Sequence, residues 1–300
     1  MFDDRRHCAA ALSRRAFCGA ILAGAWVSNA GAQGPERIAA IDWAMLETAL
    51  ALGVTPVAGS ELRAFRREAE KPDVPAATVD LGLRGAPSFE LLRMLQPDLI
   101  LSSPFYNGYH AQLARLAPIL APPIHYQDGS TVALALDATL TVGRALGREA
   151  AAQDMVDDFV TKCEALATRH RALAPPVAVI GIVDSRHIRI FGPDSLFGSV
   201  LEAIGLQNSW QTATRFSPTS LVGVEALASH QDAHLAVVGG LAPGMREQLR
   251  DNRIWQALGP VREGRVSWLG PVNPYGALPA AERLGRRLAR ALRQADAAHG

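Results

Sequence analysis

A carboxylate, a hydroxyl and an imidazole lie close together in this sequence, at Asp184, Ser185 and His187. These are the three groups of a hydrolytic triad, in which the imidazole accepts the proton of the attacking hydroxyl and the carboxylate orients the imidazole. Triad members normally come from separate parts of the chain and meet only in the folded protein. We therefore expect no catalytic site here, and keep an exported hydrolase that uses Asp184 and His187 as an alternative from a different functional class.

The chain also lacks the short motifs that carry much enzyme chemistry, namely HExxH, CxxC, GxSxG and a glycine-rich phosphate loop. The eight histidines do not occur at metal-ligand spacing beside a Cys, Asp or Glu partner. We therefore expect neither a metal site nor a cofactor of the protein's own. Two lobes without a catalytic constellation favour a binding protein whose site is the cleft between them.

The composition allows one or two hydrophobic cores and gives no sign of a nucleic-acid partner. The 300 residues include 49% hydrophobic residues, and 30 basic side chains balance 29 acidic ones. The arginines are scattered and form no basic block. A basic run near the C-terminus carries Leu284, Leu288 and Leu292 at a spacing of four, which is typical of an amphipathic helix.

The first 32 residues have the layout of an export signal. Arg14 and Arg15 precede a short apolar run at residues 18–27, and the small residues that end at Ala32 supply a cleavage site. The arginine pair, followed after one residue by a phenylalanine, resembles a twin-arginine signal, and the Sec route is the alternative. The sequence therefore predicts a signal peptide at residues 1–32 and an exported protein.

Residues 149–173 form the longest uninterrupted helical pattern of the chain. Met155, Phe159, Cys163 and Leu166 recur at helical spacing, with charged residues between them. Signal cleavage would leave Cys163 as the only thiol, and its place on the apolar face predicts a small core residue rather than a reactive one. We expect this helix to be a rigid connection between two α/β halves of similar size.

Short apolar strands alternate with helices on both sides of this helix, which predicts two mainly parallel sheets. Ligands of such sheets gather at the carboxyl ends of the strands. The strands are expected at residues 37–41, 54–59, 78–84 and 97–103, with an extended segment at 123–126, and then at 176–182, 187–191, 234–239 and 265–269. Helices are expected at residues 43–52, 88–95, 110–117, 194–205, 224–229 and 245–258.

Four motifs carry a resemblance to a known family: LGLR at residues 81–84, LARLAP at 113–118, FGPDSLF at 191–197 and YGA at 275–277. With the order of the surrounding elements, they make the chain resemble the ferric-hydroxamate-binding proteins of the periplasm. The likeness covers essentially all of the chain after the signal. It implies a class III solute-binding protein that delivers an iron(III)–siderophore to an ATP-driven permease of the inner membrane.

The fold that this resemblance implies is α/β, with two Rossmann-like lobes joined by a single long interlobe helix. We expect an N-terminal lobe at residues 33–147, the interlobe helix at 148–173 and a C-terminal lobe at 174–300. We expect the protein to be a monomer. The ligand would be an iron(III)–siderophore chelate, in which the siderophore itself holds the iron.

By the same resemblance, Arg84 and Tyr106 contact the hydroxamate oxygens around the iron. A guanidinium and a phenol can donate hydrogen bonds to oxygens that already ligate Fe(III), without displacing them from the metal. Trp43 and Tyr275 match aromatic residues of the family's pocket. Taken from the sequence alone, Arg84 fits a surface charge at a strand end and Tyr106 a half-buried loop aromatic equally well.

The chain departs from the family at four positions where tryptophans line the pocket of its best-known members. The residues here are Glu68, Ser102, Ser217 and Asn273. We therefore expect a more polar pocket, with Ser217 and Asn273 among the ligand contacts. The alternatives for the ligand are haem, a cobalamin or a carboxylate siderophore, bound by a protein of the same class.

Two carboxylates stand at corresponding points of a weak internal repeat of about fifteen residues. Glu90 follows Phe89 and Glu225 follows Val224, each at the start of a predicted helix that leads into a strand. They resemble the paired acidic residues with which this class of binding protein docks on its permease. We therefore predict that Glu90 and Glu225 contact the permease.

Overall fold

The computed structural model describes residues 34–124, 130–170, 175–214 and 219–299, and the strands within them form two separate sheets. The strands of the first sheet are β1 (Ile38–Ala40), β2 (Ala58–Gly59), β3 (Val79–Asp80), β4 (Leu99–Leu101) and β5 (Ile119–Leu120). Their order is β3-β2-β1-β4-β5, and every pair is parallel. All five carboxyl ends therefore lie at one edge of this sheet.

The helices of this half follow the strands in the expected alternation. They are α1 (Trp43–Ala51), α2 (Leu62–Glu68), α3 (Phe89–Leu95), α4 (Asn107–Leu113) and α5 (Thr131–Ala145), with a 3-10 turn at Pro104–Tyr106 before α4. Two of these helices end on residues that suit the position: Ser88 caps α3 by accepting a hydrogen bond from the Leu91 N–H, and Gly53 follows α1 with a φ of 76°. The helices α2 and α5 were not predicted, and β5 lies before the extended segment expected at 123–126, of which residues 125 and 126 fall outside the described residues.

The long helix predicted between the two halves is α6 (Glu149–His170). Its 22 residues span about 33 Å at 1.5 Å per residue. Phe159 and Cys163 are buried on its apolar face, while Met155 and Leu166 pack against the same core from partly buried positions. Cys163 is buried, which confirms a core residue, and this burial raises the pKa of its thiol to about 11.

The second sheet is mixed. Its strands are β6 (Val177–Ile182), β7 (His187–Ile190), β8 (Ser220–Gly223), β9 (His234–Val238) and β10 (Val266–Gly270). Their order is β10-β9-β6-β7-β8, and in the described part of the sheet β7 runs in the direction opposite to the other four strands. A tight turn joins β6 to β7, so no crossover helix separates them. The strand β8 was not predicted.

The helices of the second half are α7 (Leu196–Ala203), α8 (Met245–Asp251), α9 (Arg253–Ala257), α10 (Gly259–Arg262) and α11 (Leu278–His299). Ser195 caps α7 by accepting a hydrogen bond from the Gly198 N–H. The single helix predicted at 245–258 is wrong, because Asn252 interrupts it and accepts hydrogen bonds from the N–H groups of Ile254 and Trp255 to start α9. Residues Val224–Ser229 form a 3-10 helix rather than an α-helix.

One hydrophobic core extends through both halves. Met45 of α1, Phe197 of α7 and Leu284 of α11 belong to the same buried cluster, to which α5 and α6 also contribute. Helix α11 follows the second sheet in the chain but packs against α1 as well as α7. The two sheets are therefore tied together by a shared apolar layer in addition to the chain connection through α6.

This architecture confirms the predicted class, an α/β protein with two mainly parallel sheets. Both sheets lie within the ranges expected for the lobes, and the exact limits at 33–147, 148–173 and 174–300 stay predictions. In the described parts of the chain, no helix combines the length and the apolar character needed to cross a membrane.

Candidate functional site

Several side chains predicted to bind the ligand follow strands of the first sheet at its carboxyl edge. Trp43 comes shortly after β1, Arg84 after β3 and Tyr106 after β4. Glu61, which the sequence did not single out, follows β2. Parallel strands bring their carboxyl ends to one edge, so all four residues follow strands that end at this edge.

Three of the predicted residues form one arrangement, which we call the arginine stack. The guanidinium carbon of Arg84 lies 3.8 Å from the centroid of the Trp43 ring and 4.6 Å from that of Tyr275. Both distances are well within the range of cation–π attraction. Nε of Arg84 donates a 2.7 Å hydrogen bond to Oε2 of Glu61, which completes the stack as we define it: Trp43, Glu61, Arg84 and Tyr275.

Trp43 gives the stack a fixed base. Its indole Nε1 donates a 2.9 Å hydrogen bond to the carbonyl oxygen of Ser60, and the side chain is almost fully buried. Phe65 and Tyr275 pack edge-on against the indole, with ring centroids 5.5 and 6.2 Å away. A ring held by a hydrogen bond and two aromatic neighbours cannot reorient easily, so the position of Arg84 above it is also defined.

Glu61 orients Arg84 from an unusual backbone conformation. Its φ of 51° and ψ of 44° are left-handed, a region that residues other than glycine seldom adopt. The Glu61 N–H donates to the carbonyl of Gly82 at 2.7 Å, and Gly82 itself has a φ of 79°. The LGLR motif at 81–84 thus supplies both the turn and the arginine. Glu61 accepts a hydrogen bond from Nε of Arg84 only, so the two Nη groups can donate to a ligand.

Tyr106 lies in a different environment from the arginine stack. It ends the 3-10 turn Pro104–Tyr106 and is only 3% exposed. Its side chain packs with Leu92 and Leu113 in a buried cluster that is separate from the one containing Trp43. The adjacent Phe105 is 64% exposed and its ring lies 5.2 Å from that of Tyr106. A ligand contact for Tyr106 stays a prediction.

A cleft of about 480 Å³ lies beside the arginine stack. Its walls come from the end of α2 and from the carboxyl edge of the second sheet; they include Arg67, Glu68, Gly181, Arg189, Gly239, Gly240, Val272 and Pro274. Pro274 precedes Tyr275 of the stack, and α2 connects Glu61 to the Arg67–Glu68 end over about 10 Å. The stack and the cleft are therefore connected through α2 and through Pro274, and we treat them as two parts of one candidate site.

The four positions where we expected polar replacements have different environments. Glu68 lines the cleft and pairs with Arg67 at 3.2 Å. Ser102 is buried, with its Oγ 3.0 Å from Nε2 of His110. Asn273 is 1% exposed and lies behind the cleft wall. Ser217 falls outside the described residues, as do Arg14, Arg15 and Ala32 of the predicted signal.

Asn273 forms a hydrogen bond with a buried carboxylate that no sequence motif had indicated. Nδ2 of Asn273 donates to Oε2 of Glu47 at 2.9 Å, while Oδ1 accepts from the N–H of Tyr275. The N–H groups of Ala277 and Ala280 donate to Oε1 of Glu47 at 2.8 and 3.1 Å. These bonds hold the segment that carries Tyr275 against α1. They therefore also position the Tyr275 ring, which is the second aromatic ring in contact with Arg84.

Burial sets the acidity of Glu47. The side chain is fully buried, and desolvation raises its pKa to about 7 in spite of the hydrogen bonds from Asn273, Ala277 and Ala280. Gly276 is required next to it, because a Cβ atom at this position would lie 2.4 Å from Oε1 of Glu47. The YGA motif at 275–277 is therefore a carboxylate-binding turn that places Tyr275.

The Asp184–His187 cluster forms the turn between β6 and β7. Oδ1 of Asp184 accepts hydrogen bonds from the N–H groups of Arg186 and His187, and the ring Nδ1 of His187 lies 3.0 Å from the same carboxylate. The backbone hydrogen bond from Arg186, followed by the contact with His187, lowers the pKa of Asp184. Both side chains are half exposed. The hydrogen bonds of Asp184 to the backbone stabilise the turn, as aspartate commonly does in turns.

Glu90 and Glu225, the predicted permease contacts, are both exposed. Each is the second residue of its helix, Glu90 in α3 and Glu225 in the 3-10 helix Val224–Ser229. A carboxylate in a first turn is favoured by the helix dipole. Their role in docking stays a prediction.

Comparison with known proteins places this site in context. The family model described as periplasmic binding protein matches residues 38–272. The iron(3+)-hydroxamate-binding protein FhuD of Escherichia coli (strain K12) is 29% identical over 269 residues, which cover 88% of this chain and 90% of that protein. The achromobactin-binding periplasmic protein of Dickeya dadantii (strain 3937) is 28% identical over 250 residues, 77% of each chain.

Solved structures agree on the fold. The siderophore-binding protein FhuD from Vibrio cholerae, with Fe3+–Desferal bound, superposes with a TM-score of 0.79 at 23% identity. The superposition covers 86% of this chain and 97% of that one. With the family match over most of its length, this chain belongs to the periplasmic binding protein family.

Proposed function

We propose that the protein is the periplasmic substrate-binding component of an ABC importer and captures an iron(III)–siderophore of hydroxamate type. The observation that carries the proposal is the arginine stack, in which Glu61 and two rings hold Arg84 with its Nη donors unused by Glu61. The relatives described above include a hydroxamate-binding protein that matches 88% of this chain. Hydroxamate oxygens bound to Fe(III) keep lone pairs that can accept from such a guanidinium.

The protein is a binding protein and not an enzyme, because the family to which it belongs is one of binding proteins. The alternative of a hydrolase that uses Asp184 and His187 is therefore wrong. The two side chains serve the turn between β6 and β7 instead.

Iron would reach the site already chelated. Among the residues that the structure describes, no group of three or more His, Cys, Asp and Glu side chains is arranged to hold a metal ion. In this proposal the siderophore supplies all the iron ligands, and the protein supplies hydrogen bonds and aromatic walls around them. No cofactor of the protein's own takes part.

Delivery would require a permease in the inner membrane, and we propose that the exposed Glu90 and Glu225 contact it. Carboxylates on the surface act mainly on the rate and the register of association. We also propose that the protein works as a monomer and reaches the periplasm through a twin-arginine signal at residues 1–32. The Arg14–Arg15 pair before the apolar run supports this route.

Ligand binding can be tested by the quenching of tryptophan fluorescence, since Trp43 lies under the proposed iron-centre donor. Saturable quenching by iron(III) trihydroxamates, with much weaker quenching by the iron-free compounds, is the expected result. Haem, a cobalamin and an iron(III)–citrate complex serve as competitors from the alternative ligand classes. Tight binding of one of those, with no response to any trihydroxamate, would refute the hydroxamate proposal.

A further inference from the structure

Arg189 is a cation in the cleft that no described acidic side chain neutralises. The other two arginines of the site have partners, since Arg67 pairs with Glu68 at 3.2 Å and Arg84 with Glu61 at 2.7 Å. Arg189 is exposed, lines the cleft, and forms no ion pair with any residue in the described ranges. The cleft therefore carries a net positive charge at this point.

The strand pairing keeps this guanidinium accessible. Arg189 lies in β7 between Ile188 and Ile190, which are both buried, so its side chain points to the opposite face. Its neighbour across β6 is Gly181, which has no side chain to cover it. Its neighbour across β8 is Leu221, which is itself 65% exposed.

The facing wall leaves room for a ligand group. Gly239 and Gly240 follow β9 at the cleft, and a Cβ atom added at either position would meet no heavy atom within 4 Å. The cleft of about 480 Å³ lies toward the Arg67–Glu68 end of α2, about one helix length from Glu61 and the donor proposed for the iron centre. A group at Arg189 would thus belong to the periphery of a chelate rather than to its iron ligands.

We propose that Arg189 binds a carboxylate on the periphery of the chelate, so that the protein selects iron(III) hydroxamates that carry a free anionic group. A guanidinium matches a carboxylate in shape and can donate two parallel hydrogen bonds to it. In a partly enclosed cleft this attraction is screened less than on an open surface. The inference rests on the proposed function and names the ligand class of the same site.

The test uses two synthetic iron(III) trihydroxamates that differ only in one pendant group, a carboxylate in one and a primary carboxamide in the other. The parent protein should bind the carboxylate form about tenfold more tightly, as expected for one charge-assisted contact near the surface. Arg189→Gln should remove this preference and leave the affinity for the carboxamide form unchanged. Arg253→Gln, at an exposed arginine of α9 outside the cleft, should keep the preference.

The outcomes separate this inference from the proposed function. Equal affinity of the parent protein for both chelates, or a preference that survives in Arg189→Gln, would overturn the role of Arg189 while iron–hydroxamate binding stands. Binding of neither chelate would overturn the proposed function, and this inference with it. Unchanged carboxamide binding by Arg189→Gln shows at the same time that the variant is folded.

Discussion

The carboxylate of Glu47 and the side-chain amide of Asn273 are joined by a 2.9 Å hydrogen bond in the protein interior, although 226 positions separate them in the sequence. Glu47 lies on α1, near the first sheet, and Asn273 follows the last strand of the second sheet. The bond therefore connects the two halves directly behind the arginine stack. It also couples the stack to a titratable group.

We predict that this group makes stability depend on pH. Because burial raises the pKa of Glu47 from about 4.5 to about 7, the folded protein binds the proton more tightly than the unfolded chain does. The resulting stabilisation is fully present below pH 4.5 and is lost as the pH rises through 7. At roughly 1.4 kcal/mol per pKa unit, the free energy of unfolding should fall by about 3 kcal/mol across this window.

Urea denaturation at several pH values checks this, with Glu47→Gln as the variant that cannot ionise. The comparison rests on the slope with pH, since glutamine presents an NH2 group to Asn273 and lowers stability at every pH. Glu149→Gln, at an exposed position of α6, is the matched control and should keep the parent slope. A slope in Glu47→Gln equal to that of the parent protein would contradict the prediction.

Removal of the stacked guanidinium should weaken ligand binding strongly. A hydrogen bond from a charged donor contributes about 1.5 to 3 kcal/mol, so Arg84→Ala should reduce the affinity for an iron(III) trihydroxamate by roughly 10- to 150-fold. Fluorescence titration gives the affinities. Arg115→Ala, at an exposed arginine after α4, should bind like the parent, and equal affinity of Arg84→Ala would show that the site is misassigned.

Glu61 should matter for binding without contacting the ligand. Loss of its carboxylate in Glu61→Ala removes the hydrogen bond that orients Nε of Arg84, and an ion pair of this exposure contributes about 0.5 to 1 kcal/mol. We expect a two- to fivefold loss of affinity for a trihydroxamate. In Arg84→Ala the same change should have no further effect. If the double variant instead loses affinity by the sum of the two single effects in free energy, a positioning role for Glu61 is excluded.

Reversal of the charges at Glu90 and Glu225 should impair transport but not ligand capture. The double change to lysine places positive charge where we expect permease arginines, which slows and misaligns association. Iron uptake in cells should fall, while the purified variant binds the chelate like the parent. Lysines at Glu149 and Glu164, two exposed positions of α6, provide the control. Normal uptake by the Glu90/Glu225 variant would end the docking hypothesis.

Ligand binding should close the cleft by only a few degrees. The two halves share a buried layer formed by α1, α5, α6, α7 and α11, and sliding of such a packed layer is limited. Small-angle scattering with and without a bound iron(III) trihydroxamate measures the change. A large fall in the radius of gyration would show that the shared layer opens and closes as a hinge.

The parts of the fold that could be predicted depend on local chemistry. Ser88 and Ser195 cap their helices, and Gly53 and Gly205 adopt positive φ, because these preferences act within a few residues. The antiparallel direction of β7 depends instead on the turn built around Asp184. At Asn252 the chain can either continue one helix or end α8 and start α9 with Asn252 as the cap. The spacing of apolar residues does not distinguish these two possibilities.

Some residues of the candidate site could likewise be predicted from sequence motifs, and others could not. The motif resemblance pointed to Trp43, Arg84 and Tyr275, which the structure brings together. Glu61 and Glu47 were not predicted because their partners, Arg84 and Asn273, are distant in sequence. Arg189 was not predicted because only the folded structure shows that it lines the cleft. A lone acidic residue before a short helix, such as Glu61, has no local pattern to separate it from other surface carboxylates. Its left-handed backbone is fixed only by the neighbouring turn at Gly82.

Helix α11 also determines when folding can finish during synthesis. Leu284, Leu288 and Leu292 fill the layer shared by both sheets, and they are synthesised after every strand of the described sheets. Until residues 278–299 emerge, the faces of α1, α5 and α7 that pack against α11 stay uncovered. The nascent chain should therefore stay protease-sensitive and dependent on chaperones over most of its length, and become resistant in one late step.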